Sequence, residues 1–375
     1  MPTPGELFQP LEAPAWSHSN FSDYLMGKID RDSTREHPEG IADAICLVIK
    51  LGPLEGEALR CFNTSSQRYE FVSQLSYSTA MSKLMIETKL GKAYNSSIED
   101  FMTSPEGKKL KGKVNLIFTS PPYPLVSPKK YGNKQGEEYL KWVAEVSVGL
   151  AELLTDDGSL IVEIGNSWNK GTPTMSLLPL ETLMQIAKAS DLHVCQQFIW
   201  HNPGKLPGPA TWVNVNRERI TDSFTHIWWF SKIEHPKADN RKVLTPYTKA
   251  MENLIKKGSY NHGERPSGHK ISKGGFLSDN GGSIARSALI YANTGFDTEY
   301  RDWCKKKGVP QHPARMPIAL ADFFIKFLTD PKDIVLDPFG GSCTTGKSAE
   351  NLKRRWVCIE QNKEYLVGAK GRFLK

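Results

Sequence analysis

The chain has 375 residues, 39% hydrophobic and 24% charged, with a formal net charge of +7. That length suits one large α/β domain plus a smaller one, and the composition excludes a disordered chain. No apolar run reaches the roughly 18 residues that a membrane span needs, the positive excess permits a polyanionic partner, and "MPTPGELFQPLEAPAWSHSN" lacks the basic and apolar regions of a secretion signal. A cytoplasmic protein is expected. Cysteines at 46, 61, 195, 304, 343 and 358 form no C-x-x-C pair, so reduced thiols and no metal site are expected.

Residues 1 to about 35 are rich in Pro, Ser and charge and read as an arm. From Ile41, "IADAICLVIKLGPLEGEALRCF" predicts a helix, a Gly-Pro turn and a second helix, and "SSQRYEFVSQLSYSTAMSKLMIE" further helical or short-strand structure. Residues 1–88 are therefore expected to form an arm and a small helical domain, either a winged-helix-like module touching DNA or a packing domain. The apolar strand "KGKVNLIFTS" runs into Ser120-Pro121-Pro122-Tyr123, and two prolines cannot continue a sheet ladder. These four residues are thus placed at the carboxyl end of a strand. A helix over "EEYLKWVAEVSVGLAELL" and a buried strand in "DDGSLIVEIGNSW" complete a β-α-β unit, and "LETLMQIAKASDLHV", "CQQFIWHN" and "SFTHIWWFSK" continue the alternation within 89–230.

Between Lys232 and Lys273 the periodicity fades, and ten Lys or Arg face four Asp or Glu, with Tyr247, Tyr260 and Phe276 in or just beyond the stretch. A basic, loop-rich insertion spanning 231–310 is what phosphate contact requires. The final segment, 311–375, begins with a helix in "HPARMPIALADFFIKFLTD" that sets Ala319, Phe323 and Phe327 on one face, followed by the strand "DIVLD", a glycine loop, a helix and the strand "WVCIE". The pattern predicts a mostly parallel, doubly wound α/β sheet.

Gly341 to Ser348 matches G-x-x-x-x-G-K-[ST], the loop that cradles nucleotide phosphates. Only 27 residues follow Ser348, leaving little room for the strands and second carboxylate of that architecture. A nucleoside ligand accounts for more. Glu360, nineteen residues after Gly341 at the end of the next strand, can accept from both ribose hydroxyls, and Asp337 with the backbone from Phe339 to Ser342 can hold a zwitterion. Lys347 is then a surface lysine.

"SPPY", "HPAR" leading into "LDPFGGSCTTG", and "CIEQNKEYL" resemble the signature segments of the β-group, circularly permuted DNA amino-methyltransferases of restriction-modification systems. "NPGKLPGPATWVNVNRERITDSFTHIWWFSK" and "RPSGHKISKGGFLSDNGGSI" are similar to the N4-cytosine branch that modifies CAGCTG sites. The resemblance runs from about Gly91 to the end, and implies a Rossmann-like methyltransferase sheet with an inserted DNA-recognition region. It implies S-adenosylmethionine held by Asp337, Pro338, Phe339, Gly340, Gly341, Ser342, Thr344 and Glu360, with His312-Pro313 closing over its methionine end. Ser97 stands where relatives carry an Asp near the adenine.

The implied catalytic segment is Ser120, Pro121, Pro122 and Tyr123. An exocyclic amine is a poor nucleophile, and acceptors such as the Ser120 hydroxyl and Pro121 carbonyl favour its lone-pair-available form, while Tyr123 offers a stacking ring for an extruded base. Ser at the first position favours cytosine N4, with adenine N6 as the alternative target and a non-catalytic DNA-binding regulator as the alternative class. Lys205, Arg217, Arg219, Lys256, Lys257 and Arg265 are the expected DNA contacts. The expected partner is double-stranded DNA, with no membrane and no obligatory protein subunit. A cognate restriction endonuclease is the expected functional partner, in a prokaryotic, nucleoid-associated setting.

Overall fold

The computed structural model describes residues 82–122, 134, 136–293 and 297–374, together with the backbone of three strands before them. Two compact units divide the chain, Met1–Ser78 and Thr79–Lys375. The first contains β1 (Ala44–Ile49), β2 (Ala58–Asn63) and β3 (Phe71–Val72). β1 pairs antiparallel with β2 from Ala44↔Asn63 to Ile49↔Ala58, and β2 pairs antiparallel with β3. Strands therefore stand where the sequence predicts two helices. A six-residue run such as "AICLVI" is too short for periodicity to separate helix from strand, and its β-branched residues favour the extended chain.

The larger unit is built on β4 (Lys83–Glu87), β5 (Gly91–Asn95), β6 (Val114–Thr119), β7 (Leu154–Gly165), β8 (His193–His201) and β9 (Phe224–Ser231), the two-residue strands β10 (Gly263–Glu264) and β11 (Lys270–Ile271), then β12 (Ala288–Ile290), β13 (Ile334–Asp337) and β14 (Arg355–Glu360). Nine of them form one sheet in the order β12-β8-β9-β7-β6-β13-β14-β5-β4. β7, β6, β13, β14 and β5 run parallel, whereas β9 and β4 are antiparallel to their neighbours. Because β4 pairs with β5, the boundary falls at Ser78 and not at residue 88.

Alternation along the strands fills a core on each face, as a doubly wound sheet requires. Leu116, Phe118 and Ile161 face the helix Ile318–Leu328, while Ile117, Leu160 and Val162 face the helix Gly136–Leu153. The first of these helices buries Leu320, Ala321, Phe323, Phe324, Ile325 and Leu328, a wider surface than the predicted stripe, and Ala319 is exposed. The basic insertion is more ordered than its sequence suggests, with a helix at Lys249–Lys257 capped by the Thr248 hydroxyl. No helix among the described residues is long and apolar enough to cross a membrane.

Gly91 sits beside Trp356 in the β5–β14 ladder, and a Cβ there would lie 2.2 Å from the indole Cδ2. Trp356 is fully buried and cannot move aside. Gly91→Ala should lower the unfolding free energy by about 1–3 kcal/mol, the usual range for overpacking. Urea unfolding with an unchanged slope is the check.

Candidate active site

The carboxyl ends of β6, β13 and β14 converge on a cleft of about 960 Å³. Ser120, Pro121 and Pro122 leave β6 into it. Asp337, Pro338, Phe339, Gly340, Gly341, Ser342 and Thr344 line it from β13 onward, and Glu360, His312, Pro313 and Lys205 complete it.

Asp337 is the buried centre of this arrangement, only 3% exposed. Its Oδ1 accepts from the Thr119 hydroxyl at 3.0 Å and the Phe339 N–H at 3.1 Å, and its Oδ2 from the Thr345 hydroxyl at 2.7 Å. One carboxylate thereby joins the end of the Ser-Pro-Pro strand to both sides of the glycine loop. Burial pushes its pKa up to about 6, opposed by the Thr345, Phe339 and Thr119 hydrogen bonds. A carboxylate has about four acceptor positions, so one remains for a cation in the cleft.

Glu360 ends β14 with both oxygens held by backbone amides, Oε2 by Gly341 N–H at 2.8 Å and Oε1 by Asn362 N–H at 2.7 Å. Burial raises its pKa, against those two donors. The loop between the two carboxylates accepts only glycine at critical points. Gly341 has φ +50°, and a Cβ on it would meet His312 Nε2 at 3.0 Å, while Gly340 sits against Cys358 and the Ile359 carbonyl. From outside, Arg372 donates to the Ser342 carbonyl at 2.7 Å and forms a bidentate pair with Asp297, so the loop is clamped by a buried guanidinium. The cradle, the two anchored carboxylates and the glycine backbone suit a nucleoside carrying a cationic amino acid.

Lys347 takes no part in the cleft; its ammonium lies 5.9 Å over the Phe373 ring. A phosphate-binding loop would aim that lysine inward. Ser97 also departs from expectation, because its hydroxyl caps the helix Ile98–Thr103 by accepting from Asp100 N–H, and the neighbouring Ser96 lines the cleft instead. Tyr123 lies outside the described residues. Arg217 and Arg219 are exposed on the segment between β8 and β9, and Lys256, Lys257 and Arg265 are exposed in the insertion, all away from the cleft wall.

Several cleft residues escape the sequence reading. Glu163 is 5% exposed within the apolar strand "LIVEIG", and a charge in a buried strand was the available signal. Trp142 lies 5.6 Å from the Phe339 ring and donates to Glu99 at 2.6 Å, yet on the sequence it is one more apolar helix residue. Trp200, Asn202, Ser223, Phe224 and Thr225 reach the cleft from β8, β9 and their junction. Nothing local in the sequence marks them.

The profile of a family described as DNA methylase matches residues 114–370. The chain is 41% identical over 263 residues to type II methyltransferase M.PvuII of Proteus hauseri, covering 70% of this chain and 78% of that one. To type II methyltransferase M.BglII of Bacillus subtilis it is 27% identical over 254 residues, 68% of this chain and 61% of that one. The solved structure of PvuII DNA methyltransferase (cytosine-N4-specific) superposes with a TM-score of 0.62 at 32% identity, over 78% of this chain and 90% of that chain. By these likenesses, carried by a chain whose sheet brings Ser120 and the glycine loop into one cleft, the protein belongs to the DNA methylase family.

Proposed function

We propose that this protein is a site-specific DNA methyltransferase of the restriction-modification type, methylating the exocyclic N4 amine of a cytosine extruded from a short duplex site. The observation that carries the reading is the Thr119–Asp337 bond, which fixes the Ser-Pro-Pro segment beside the glycine loop in one cleft. The likeness to a cytosine-N4-specific relative supports cytosine as the target. A cognate restriction endonuclease is the functional partner, and the cytoplasm of a prokaryotic cell, beside its nucleoid, the setting.

S-adenosylmethionine supplies an electrophilic methyl group when bound. In this reading Glu360 accepts the ribose hydroxyls, Asp337 faces the ammonium group, and His312-Pro313 closes the methionine end. Ser120 and the Pro121 carbonyl accept hydrogen bonds from the target amine, and the proline pair holds those acceptors in place before the base arrives. Tyr123 supplies the stacking ring. DNA recognition belongs to 231–310 with the segment between β8 and β9. Within that region Lys237 is paired with Asp330 and Asp333, Lys242 with Asp330, and Arg241 with Asp239, which leaves phosphate contact to exposed cations outside these pairs, Lys256, Lys257 and Arg265 among them. Arg217 and Arg219 stand nearer the bases, and Lys205 at the cleft wall, held by Asp222 at 3.3 Å, reaches the extruded nucleotide.

Incubation with a CAGCTG duplex and S-adenosylmethionine, followed by mass spectrometry of the nucleosides, should yield N4-methylcytosine; N6-methyladenine alone would overturn the target assignment. Ser120→Ala should slow turnover by about thirty- to a thousand-fold, or roughly 2–4 kcal/mol, with cofactor and DNA affinity nearly unchanged.

Cofactor affinity should depend on Asp337. Its carboxyl titrates at about 6 in the free protein, so it is charged above that pH and neutral below. Attraction for the ammonium is fully present above pH 6 and is lost as pH falls, by up to about tenfold per unit. Calorimetry with S-adenosylhomocysteine, which keeps the amino acid, should show this decline, and Asp337→Asn should flatten it. In the insertion, Lys256→Gln with Lys257→Gln should weaken cognate and unrelated duplexes alike and reduce the salt slope by about 2. An unchanged slope would make the helix a solvated surface.

A further inference from the structure

Asn202 directly follows β8 and lines the cleft that holds Ser120. Its backbone N–H donates to the Ser223 carbonyl at 2.9 Å, which ties it to the residue before β9. The side-chain oxygen accepts from two backbone amides, Gly204 N–H at 3.0 Å and Asn293 N–H at 3.2 Å. Only the carbonyl end of the amide can receive two donors, so the side-chain orientation is fixed by its neighbours. The NH₂ group is left with no hydrogen-bond partner among the described residues, although every other polar group of Asn202 is engaged.

Two DNA bases with an exocyclic amine compete for such a cleft. When their amines are superposed, N3 of cytosine coincides with N1 of adenine, both acceptors. The next ring position differs, because cytosine carries the acceptor O2 where adenine carries C2–H. A fixed donor at that position tells the two apart, and a site built to hydrogen-bond a group rejects an analogue lacking it strongly.

We propose that Asn202 is a specificity-determining residue whose amide NH₂ donates to O2 of the extruded cytosine. The inference rests on the cytosine-N4 reading above. A donor at O2 favours the resonance form that draws the N4 lone pair into the ring, so its contribution is to select and hold cytosine, and activation of the amine is left to the acceptors on N4.

Asn202→Asp isolates the donor. The carboxylate still accepts from Gly204 and Asn293, but presents an oxygen in place of the NH₂. Its kcat/KM on a cytosine duplex should fall on the order of 100-fold, with S-adenosylhomocysteine affinity and the unfolding midpoint unchanged. The second measurement replaces the target cytosine by 2-thiocytosine, whose sulfur is a poorer acceptor. Wild type should lose roughly tenfold on that duplex, and Asn202→Ala, which has no donor to lose, should treat both duplexes alike. Wild-type turnover by Asn202→Asp, or the same cytosine-to-thiocytosine ratio in Asn202→Ala as in wild type, would overturn the inference and leave Asn202 a loop anchor. Absence of N4-methylcytosine with the wild-type enzyme would instead remove the reading beneath it.

Discussion

One buried carboxylate sets the geometry of the cleft. Asp337 accepts hydrogen bonds from a strand that ends in Ser-Pro-Pro, from the backbone that begins the glycine loop, and from the helix that follows it. Burying an acid is costly unless donors surround it, and here the three donors belong to the three elements whose relative positions matter. The cost appears as a carboxyl pKa raised to about 6, and the return is a loop and a strand end that cannot drift apart. Arg372 performs the complementary task from the opposite side, a buried cation holding Ser342 and Asp297. Two buried charges thus hold the glycine loop from opposite sides, alongside the Gly340 N–H bond to the Ile359 carbonyl.

How much of this was legible in the sequence depended on the range of the interaction. Ser120-Pro121-Pro122, Asp337 to Ser342 and Glu360 could be read because each is a local signature at a strand end, where turn chemistry and chain direction decide the outcome. Thr119 and Asp337 are separated by 218 positions, and no local pattern announces their bond. The same holds for Asn202, whose amide is oriented by Asn293 from 91 residues away. The strands β1 and β2 differ from the predicted helices for another reason: runs of six residues, such as the apolar "AICLVI", satisfy either periodicity, and pairing with a partner strand decides. Ser97 shows that a residue aligned with a functional position can be taken by the backbone, since a helix start next to it needed a cap.

A net charge does not say which cations are free. Of the lysines between Lys232 and Lys273, Lys237 and Lys242 reach Asp330 and Asp333 on the segment before β13, and Lys232 donates to the Leu154 carbonyl. These lysines anchor the base of the insertion to the sheet. Lys256 and Lys257 sit at the end of an exposed helix, where they also complement its C-terminal dipole. One run of sequence thus divides into a structural root and a projecting basic surface, a distinction that only the positions of the aspartates reveal.

The place of β13 and β14 between β6 and β5 has a consequence for how the chain becomes an enzyme. β5 and β6 leave the ribosome early, yet they are not neighbours; two strands made more than two hundred residues later must enter between them. Until then each half-sheet presents an open hydrogen-bonding edge, the kind of surface that pairs with other chains. Folding that waits on such distant partners is slow and exposed to aggregation, and the nascent polypeptide has no cofactor cradle to stabilise it. Synthesis and competence are therefore separated in time, and a newly translating population of this protein gives the cell no modification activity until the last strands have inserted.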